Sequence, residues 1–228
     1  MRGELYLALA VLGMNLFAAY WGAVTAPSFT GAAVGMVQGN VSFTILSADV
    51  CDIDLSQGWN LISICSNVTN TSIFSVFDKT QGNIRFVLDW EESQQRFRVF
   101  SPLQMNPPFT TFNLSKSYFV YYDNATNTTE DVQQNPRGDI NLSLVQSYNT
   151  PVYPYEFATN ISLYLGPIAN KTNFVLLWNA SAQEFVVFSP LAADPPVKTI
   201  DKGDGQFILV SAVGGANLTY LRDDLDNV

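Results

Sequence analysis

The chain contains no histidine. That absence removes the commonest general base, the Ser-His and Cys-His nucleophile pairs, and the commonest zinc ligand. Most hydrolase mechanisms go with it. Cysteine occurs only twice, at Cys51 and Cys65, a spacing that fits no metal motif. Charge is scarce as well. Asp, Glu, Lys and Arg make up 14% of the residues, against about 25% in an ordinary soluble domain. The net charge is −9 and nothing basic is clustered, so nucleic acid is not an expected partner. The scattered acidity reads as a solubility feature, not a binding patch.

Polarity comes instead from Asn, Gln, Ser and Thr. The 228 residues suffice for one large domain or two small ones, and a 47% hydrophobic content permits a sizeable core. Aromatics at 13% favour strands over helices.

An apolar run without charge begins at Leu5 and reaches Val24, about the 20 residues that a membrane helix needs. Arg2 before it keeps the N-terminus inside, so the rest of the chain is exported. Three fates stay open. A cleaved signal peptide ordinarily has a shorter apolar core, roughly 7–15 residues, and Val24-Thr25-Ala26 is followed by Pro27. An uncleaved anchor suits the length. Arg2-Gly3 directly before an apolar helix resembles the leader of archaeal type IV pilins and archaellins. That resemblance implies cleavage after the glycine and a helix that packs into a filament core.

The acceptor pattern Asn-x-Ser/Thr occurs at Asn40, Asn67, Asn70, Asn113, Asn124, Asn127, Asn141, Asn160, Asn170, Asn179 and Asn217. With 19 Asn in the chain, and about 15% of residues Ser or Thr, chance gives roughly three such sites. Eleven sites behind an export segment read as N-glycosylation of an extracytoplasmic surface. In that compartment Cys51 and Cys65 are expected to form one disulfide.

A duplication sets the architecture. Phe86-Val87-Leu88-Asp89-Trp90 returns as Phe174-Val175-Leu176-Leu177-Trp178, and Phe100-Ser101-Pro102-Leu103 as Phe188-Ser189-Pro190-Leu191, at an offset of 88. From 86 to 120 no gap is needed, and 16 of 35 positions are identical. Each copy reads mainly as strands: hairpins over 84–90 with 96–101 and over 173–178 with 184–189, closed by strands over 117–122 and 206–212. One short helix per copy follows from Ile73, Phe74, Val76 and Phe77, with Asn70 or Thr71 as cap, and from Ile161, Tyr164 and Leu165, stopped at Gly166-Pro167. A further strand is expected over 40–47. The expected fold is therefore mainly β. An N-terminal apolar helix (1–26) and an extended linker and strand (27–50) precede two tandem modules (51–122 and 139–228), joined by a linker (123–138).

Gly58-Trp59-Asn60-Leu61-Ile62-Ser63 opens the first module, and Lys116-Ser117-Tyr118-Phe119-Val120-Tyr121-Tyr122 ends it. This pattern resembles a repeat of envelope proteins from small-genome archaea and some bacteria. In the second module Ser147-Tyr148-Asn149 stands in place of Gly-Trp-Asn. The resemblance implies β-rich surface modules without known catalysis.

Other candidate sites have weak chemistry. Asp49, Asp52 and Asp54, and separately Asp201 and Asp204, are close enough in sequence to offer oxygens to Ca²⁺, but neither stretch matches an EF-hand loop. Glu91 and Glu92 have Asn179 and Ala180 as counterparts, so the copies share no carboxylate pair. Trp90 and Trp178 occupy one repeat position and are expected to plug each module's core rather than stack on a sugar. Tyr118, Tyr121 and Tyr122 read as core, rim or assembly interface. No catalytic residue, metal site or small-molecule cofactor is called for. The expected partners are other copies of the chain or other envelope proteins, with the membrane added if the apolar segment is retained. The expected role is that of a surface-layer or filament subunit, or of an adhesion module.

Overall fold

The computed structural model describes residues 50–221, apart from 134, 137 and 156. The apolar segment 1–26, the strand expected over 40–47, Asn40, Asp49 and residues 222–228 lie outside the described residues.

The first module contains β1 (Val50–Leu55), β2 (Gly58–Ser63), β3 (Ser66–Asn67), α1 (Ile73–Val76), β4 (Ile84–Glu91), β5 (Arg96–Phe100), β6 (Ser117–Tyr122) and β7 (Thr128–Gln133). After β8 (Asn135–Pro136), the second module contains β9 (Ile140–Leu144), β10 (Ser147–Asn149), β11 (Thr159–Asn160), α2 (Ile161–Leu165), β12 (Thr172–Asn179), β13 (Glu184–Phe188), β14 (Thr199–Ile200), β15 (Gln206–Val210) and β16 (Ala216–Tyr220). The modules share one plan. A four-stranded antiparallel sheet has the order β2-β6-β4-β5 in the first and β10-β15-β12-β13 in the second. The first and last strands of each module pair separately, as β1 with β7 and β9 with β16.

Each module has its own core. In the first, Ile53, Leu55, Ile62, Phe77, Val87, Phe100, Val120 and Tyr122 are buried together. In the second, Leu144, Tyr153, Leu165, Val175, Phe188, Ile208, Leu218 and Tyr220 are. The described residues are thus mainly β, with one short α-helix and one 3-10 turn per module, and among them no helix is long and apolar enough to cross a membrane.

The helices form where the apolar spacing places them. Ile73, Val76 and Phe77 are buried, as are Ile161, Tyr164 and Leu165. Their starts differ. Asn160 caps α2 by accepting from the Ser162 N–H at 2.9 Å. At α1 the cap position is Ser72, which makes no side-chain cap bond, instead of Asn70 or Thr71. Asn70 accepts from the Ser72 N–H one step earlier, in an Asx turn. Gly166-Pro167 does not stop the chain's coiling; a 3-10 turn runs on over Gly166–Lys171.

Two further expectations change. The strands at 117–122 and 206–212 do not close the modules, because β6 and β15 lie inside the four-stranded sheets. The segment 123–138 is more than a linker: it holds β7, whose register runs from Val50 opposite Gln133 to Leu55 opposite Thr128. Pairing the chain ends of a module buries the β1 backbone, which would otherwise lack partners.

Cys51 and Cys65 form the disulfide, with Cα atoms 5.5 Å apart and both residues fully buried. It ties β1 to the segment after β2. Replacing both cysteines with serine should destabilise the first module by about 3 kcal/mol in the chain-entropy account. Denaturant melts of parent and variant under oxidising and reducing conditions check this; the parent should fall to the variant's midpoint only when reduced.

Candidate functional site

The two four-stranded sheets pack face to face. Alternation along β4 sends Val87 into the module core, while Leu88 and Trp90 face the other module. The layer between the sheets contains Leu61, Leu88, Phe119, Trp178 and Phe207, with Trp59, Trp90, Phe97, Tyr148, Leu176 and Phe185 packed around them. Trp90 and Trp178 therefore fill the junction between modules, not each module's own core as expected. Phe119 meets Trp178 edge-on at 4.6 Å, and Phe207 meets Trp90 at 5.7 Å. The layer has approximate two-fold symmetry: each contact recurs with the copies exchanged.

The polar bonds of the junction obey the same symmetry. The Trp178 indole N–H donates to the Trp59 carbonyl at 2.9 Å, and that of Trp90 to the Tyr148 carbonyl at 3.0 Å. Gln183 reaches over to bond both backbone groups of Trp59: its Oε1 accepts from the N–H at 3.0 Å, and its Nε2 donates to the carbonyl at 2.9 Å. Gln95 does the same to Tyr148, at 3.2 and 3.1 Å. Each glutamine acts as a strand partner would. Both occupy left-handed backbone conformations, with φ of 50° at Gln95 and 65° at Gln183, at the ends of the two equivalent hairpin turns. Gly58 suits this approach, although its counterpart Ser147 accommodates Gln95 at a φ of 118° and bonds Gln95 Oε1 through its hydroxyl at 2.7 Å. The φ of Gly58 is +98°, and a Cβ there would lie 2.6 Å from Gln183 Oε1.

Backbone bonds cross the junction as well. The Ser63 N–H donates to the Gly203 carbonyl at 2.7 Å, and the Gly205 N–H to the Leu61 carbonyl at 2.9 Å. In the counterpart, Ser117 N–H donates to Thr150 O at 2.7 Å and Val152 N–H to Ser115 O at 3.0 Å. The edges of β2 and of the chain after β10 are consumed in this way. At the centre Ser63 Oγ and Ser117 Oγ are 2.9 Å apart, and between them they bond Tyr153 N, Gln206 N and Pro151 O. Sequence reading missed Gln95, Gln183 and this serine pair. The identity of the two glutamines at an offset of 88, next to a turn, was the available signal.

Of the expected charged sites, Glu91 pairs with Arg96 at 2.8 Å and Glu92 with Lys116 at 2.6 Å. Lys116 also reaches Asp89, which is buried and bonded to Arg98. Glu91, Glu92, Arg98 and Lys116 line a cleft of about 480 Å³ between the first hairpin and the β9–β10 region. Its carboxylates are neutralised from within.

The two acidic stretches, separate in sequence, meet across the junction. Lys202 pairs with Asp52, Asp54 accepts from the Thr129 hydroxyl, and Asp204 bridges to Ile62 on β2. Among the described residues no group of three or more carboxylates or cysteines is arranged to hold a metal ion. Loss of water around the Asp204 carboxyl, and then the Asp201 and Asp54 carboxylates, push its pKa up to about 7; a bond from the Asp201 N–H at 3.1 Å opposes the rise.

All ten described sequon asparagines reach the surface. Asn67, Asn70, Asn113, Asn127, Asn141, Asn160, Asn170 and Asn217 are exposed, and Asn124 and Asn179 half-buried. Among the residues whose burial is described, the two buried asparagines, Asn60 and Asn149, belong to no sequon. They instead brace equivalent turns, Asn60 by bonds to Ser56 and Gly58, Asn149 by bonds to Val145 and Ser147. Tyr118 and Tyr122 are buried, whereas Tyr121 lies beside Trp59 and the 41% exposed Phe86.

No family model, curated protein or solved structure matches the chain.

Two expectations follow. Trp178→Ala should cost about 3–5 kcal/mol, whereas Val213→Ala, at a residue 91% exposed, should change stability by no more than about 0.5 kcal/mol; urea melts compare them. Asp204 gives a pH dependence. Its folded-state pKa lies above the ordinary 3.8, so its stabilising contribution is complete below about pH 4 and is lost as pH rises toward 7. Asp204→Asn should flatten that slope in melts taken from pH 4 to 8.

Proposed function

We propose that this chain is a non-enzymatic, N-glycosylated cell-surface structural protein. In this reading it is a surface-layer or extracellular filament subunit, exported by its apolar N-terminal segment and assembling through strand edges. The placement of the sequons carries the reading. Asparagine is found at buried and surface positions alike, yet every described sequon reaches solvent, where a bulky hydrophilic glycan is tolerated. A fully buried disulfide suits an oxidising compartment. The duplicated modules share their packing residues but not their carboxylates, which argues for a retained architecture rather than a retained reaction. The leader and module resemblances point to an archaeal envelope.

A second reading, an adhesion or carbohydrate-binding module, is favoured by one patch. Trp59, Phe86 and Tyr121 cluster with ring centroids 5.1–6.4 Å apart and are partly open to solvent. Aromatic faces of this kind can stack on sugar rings.

Peptide mass spectrometry on protein from its native membrane fraction tests the first reading. Glycan should be found on most of the ten described sequons, and Asn60 and Asn149 should be bare. A native protein without glycan would remove the reading's main support. Saturable binding to a glycan array, abolished by Phe86→Ala, would move the conclusion to the second.

A further inference from the structure

The four-stranded sheets have four long edges, and the junction uses only two of them. The outer edge of β2 and the chain just after β10 are bonded to the opposite module, as described above. The others are open: among the described residues β5 has strand bonds only to β4, and β13 only to β12. An unpaired edge is a template for another chain.

The open edges lie on opposite flanks. β2 packs against β12 and β15 of the other sheet. Trp90 on β4 bonds Tyr148 on β10, and Trp178 on β12 bonds Trp59 on β2. The sheets therefore run in opposite strand order, which puts β5 on one side of the double layer and β13 on the other.

Neither β5 nor β13 itself contains an acceptor asparagine, and the nearest in register, Asn179, stands opposite Glu184 at the start of β13. No sequon begins between residues 73 and 112 or between 180 and 216. Exposed apolar side chains gather in those two stretches: Val99, Leu103 and Met105 in the first, Val187, Leu191 and Val213 in the second. Leu103 and Leu191, 93% and 87% exposed, hold the same repeat position just beyond β5 and β13.

Charge selects how the edges combine. β5 carries Arg96 and Arg98, whose side chains remain 61% and 38% exposed although each has a carboxylate neighbour. Full-register antiparallel pairing of β5 with another β5 would set Arg98 directly against Arg98, which is unfavourable. β13 carries a single charge of opposite sign, Glu184, and then Val186, Val187 and Phe188. We propose that β5 of one copy adds to β13 of the next, joining chains head to tail. A contact between two different surfaces on opposite flanks does not close on itself as a two-fold dimer does, so it propagates beyond two copies, into a ring or an open array. The inference rests on the structural-subunit reading and specifies its contact.

Val99→Lys and Val187→Lys place a charge in the middle of each edge, at residues 41% and 43% exposed, and test the contact in the full glycosylated chain. Light scattering after size exclusion, with electron microscopy, reads the assembly. The parent should form concentration-dependent oligomers. Each variant alone should be monomeric, and an equimolar mixture should give dimers and nothing larger, because one β5 and one β13 remain competent. Val99→Thr and Val187→Thr, uncharged strand formers, should assemble like the parent, and matching thermal melts show that the lysine variants fold. A parent that stays monomeric, or a mixture that does, overturns the proposal. So does assembly that Val187→Lys abolishes and Val99→Lys spares, which means that β13 pairs with β13. Glycan mapping is independent of these outcomes: a glycosylated monomer sinks the contact and spares the surface assignment, and an assembling chain without glycan does the reverse.

Discussion

The apolar layer between the two four-stranded sheets is the constraint on which the rest of the molecule depends. Each sheet has two apolar faces. One is covered by the module's own paired end strands and helical turn; the other has no cover within the module. Leaving Trp59, Leu88, Phe97 and Phe119 in water would forfeit about 25 cal/mol for each Å² of apolar area. The second module supplies the missing cover. The same logic explains why the polar bonds of the junction sit at its margins and on its axis. The glutamine amides and indole N–H groups satisfy backbone atoms that burial of the layer would otherwise strand.

Much of this plan was legible in the sequence. The offset of 88 revealed two equivalent modules, and strand patterning located both hairpins, β6 and β15 to within a residue or two. What stayed hidden was of two kinds. The pairing of β1 with β7 joins the ends of a module across more than 70 residues, and 123–138 is rich in Asn and Thr, which read as a connection. The second kind concerns direction. Strand β12 is apolar on both faces, and on β4 the more apolar face, Phe86, Leu88 and Trp90, is the one that meets the neighbouring module, so the pattern cannot say which face meets its own core. Trp90 and Trp178 were assigned to the wrong side for that reason. The paired edge glutamines are ordinary surface residues until the fold brings them to Trp59 and Tyr148.

The two copies share their apolar contacts and the polar bonds of the junction, but their charged residues differ. Asp89, Glu92, Arg98 and Lys116 form a bonded charge group in the first module; the same positions hold Leu177, Ala180, Val186 and Asp204 in the second. The chain segments that cap the opposing sheet edges, near Lys116 and Asp204, are geometrically equivalent yet electrostatically opposite. One is neutralised by its surroundings, and the other holds a carboxyl against other carboxylates.

Only residues 134–139 separate β7 from β9. A tether of that length holds two surfaces at an effective concentration of order millimolar, so a junction far too weak to unite separate modules in dilute solution remains closed within one chain. The duplication thereby freed the junction from having to discriminate. Its two halves no longer need to find each other, and positions such as Asp204 can carry an unfavourable charge without opening it. In the head-to-tail contact proposed above, the burden of selecting a partner falls instead on the outer edges, where Arg96 and Arg98 on one, and Glu184 on its counterpart, are unlike.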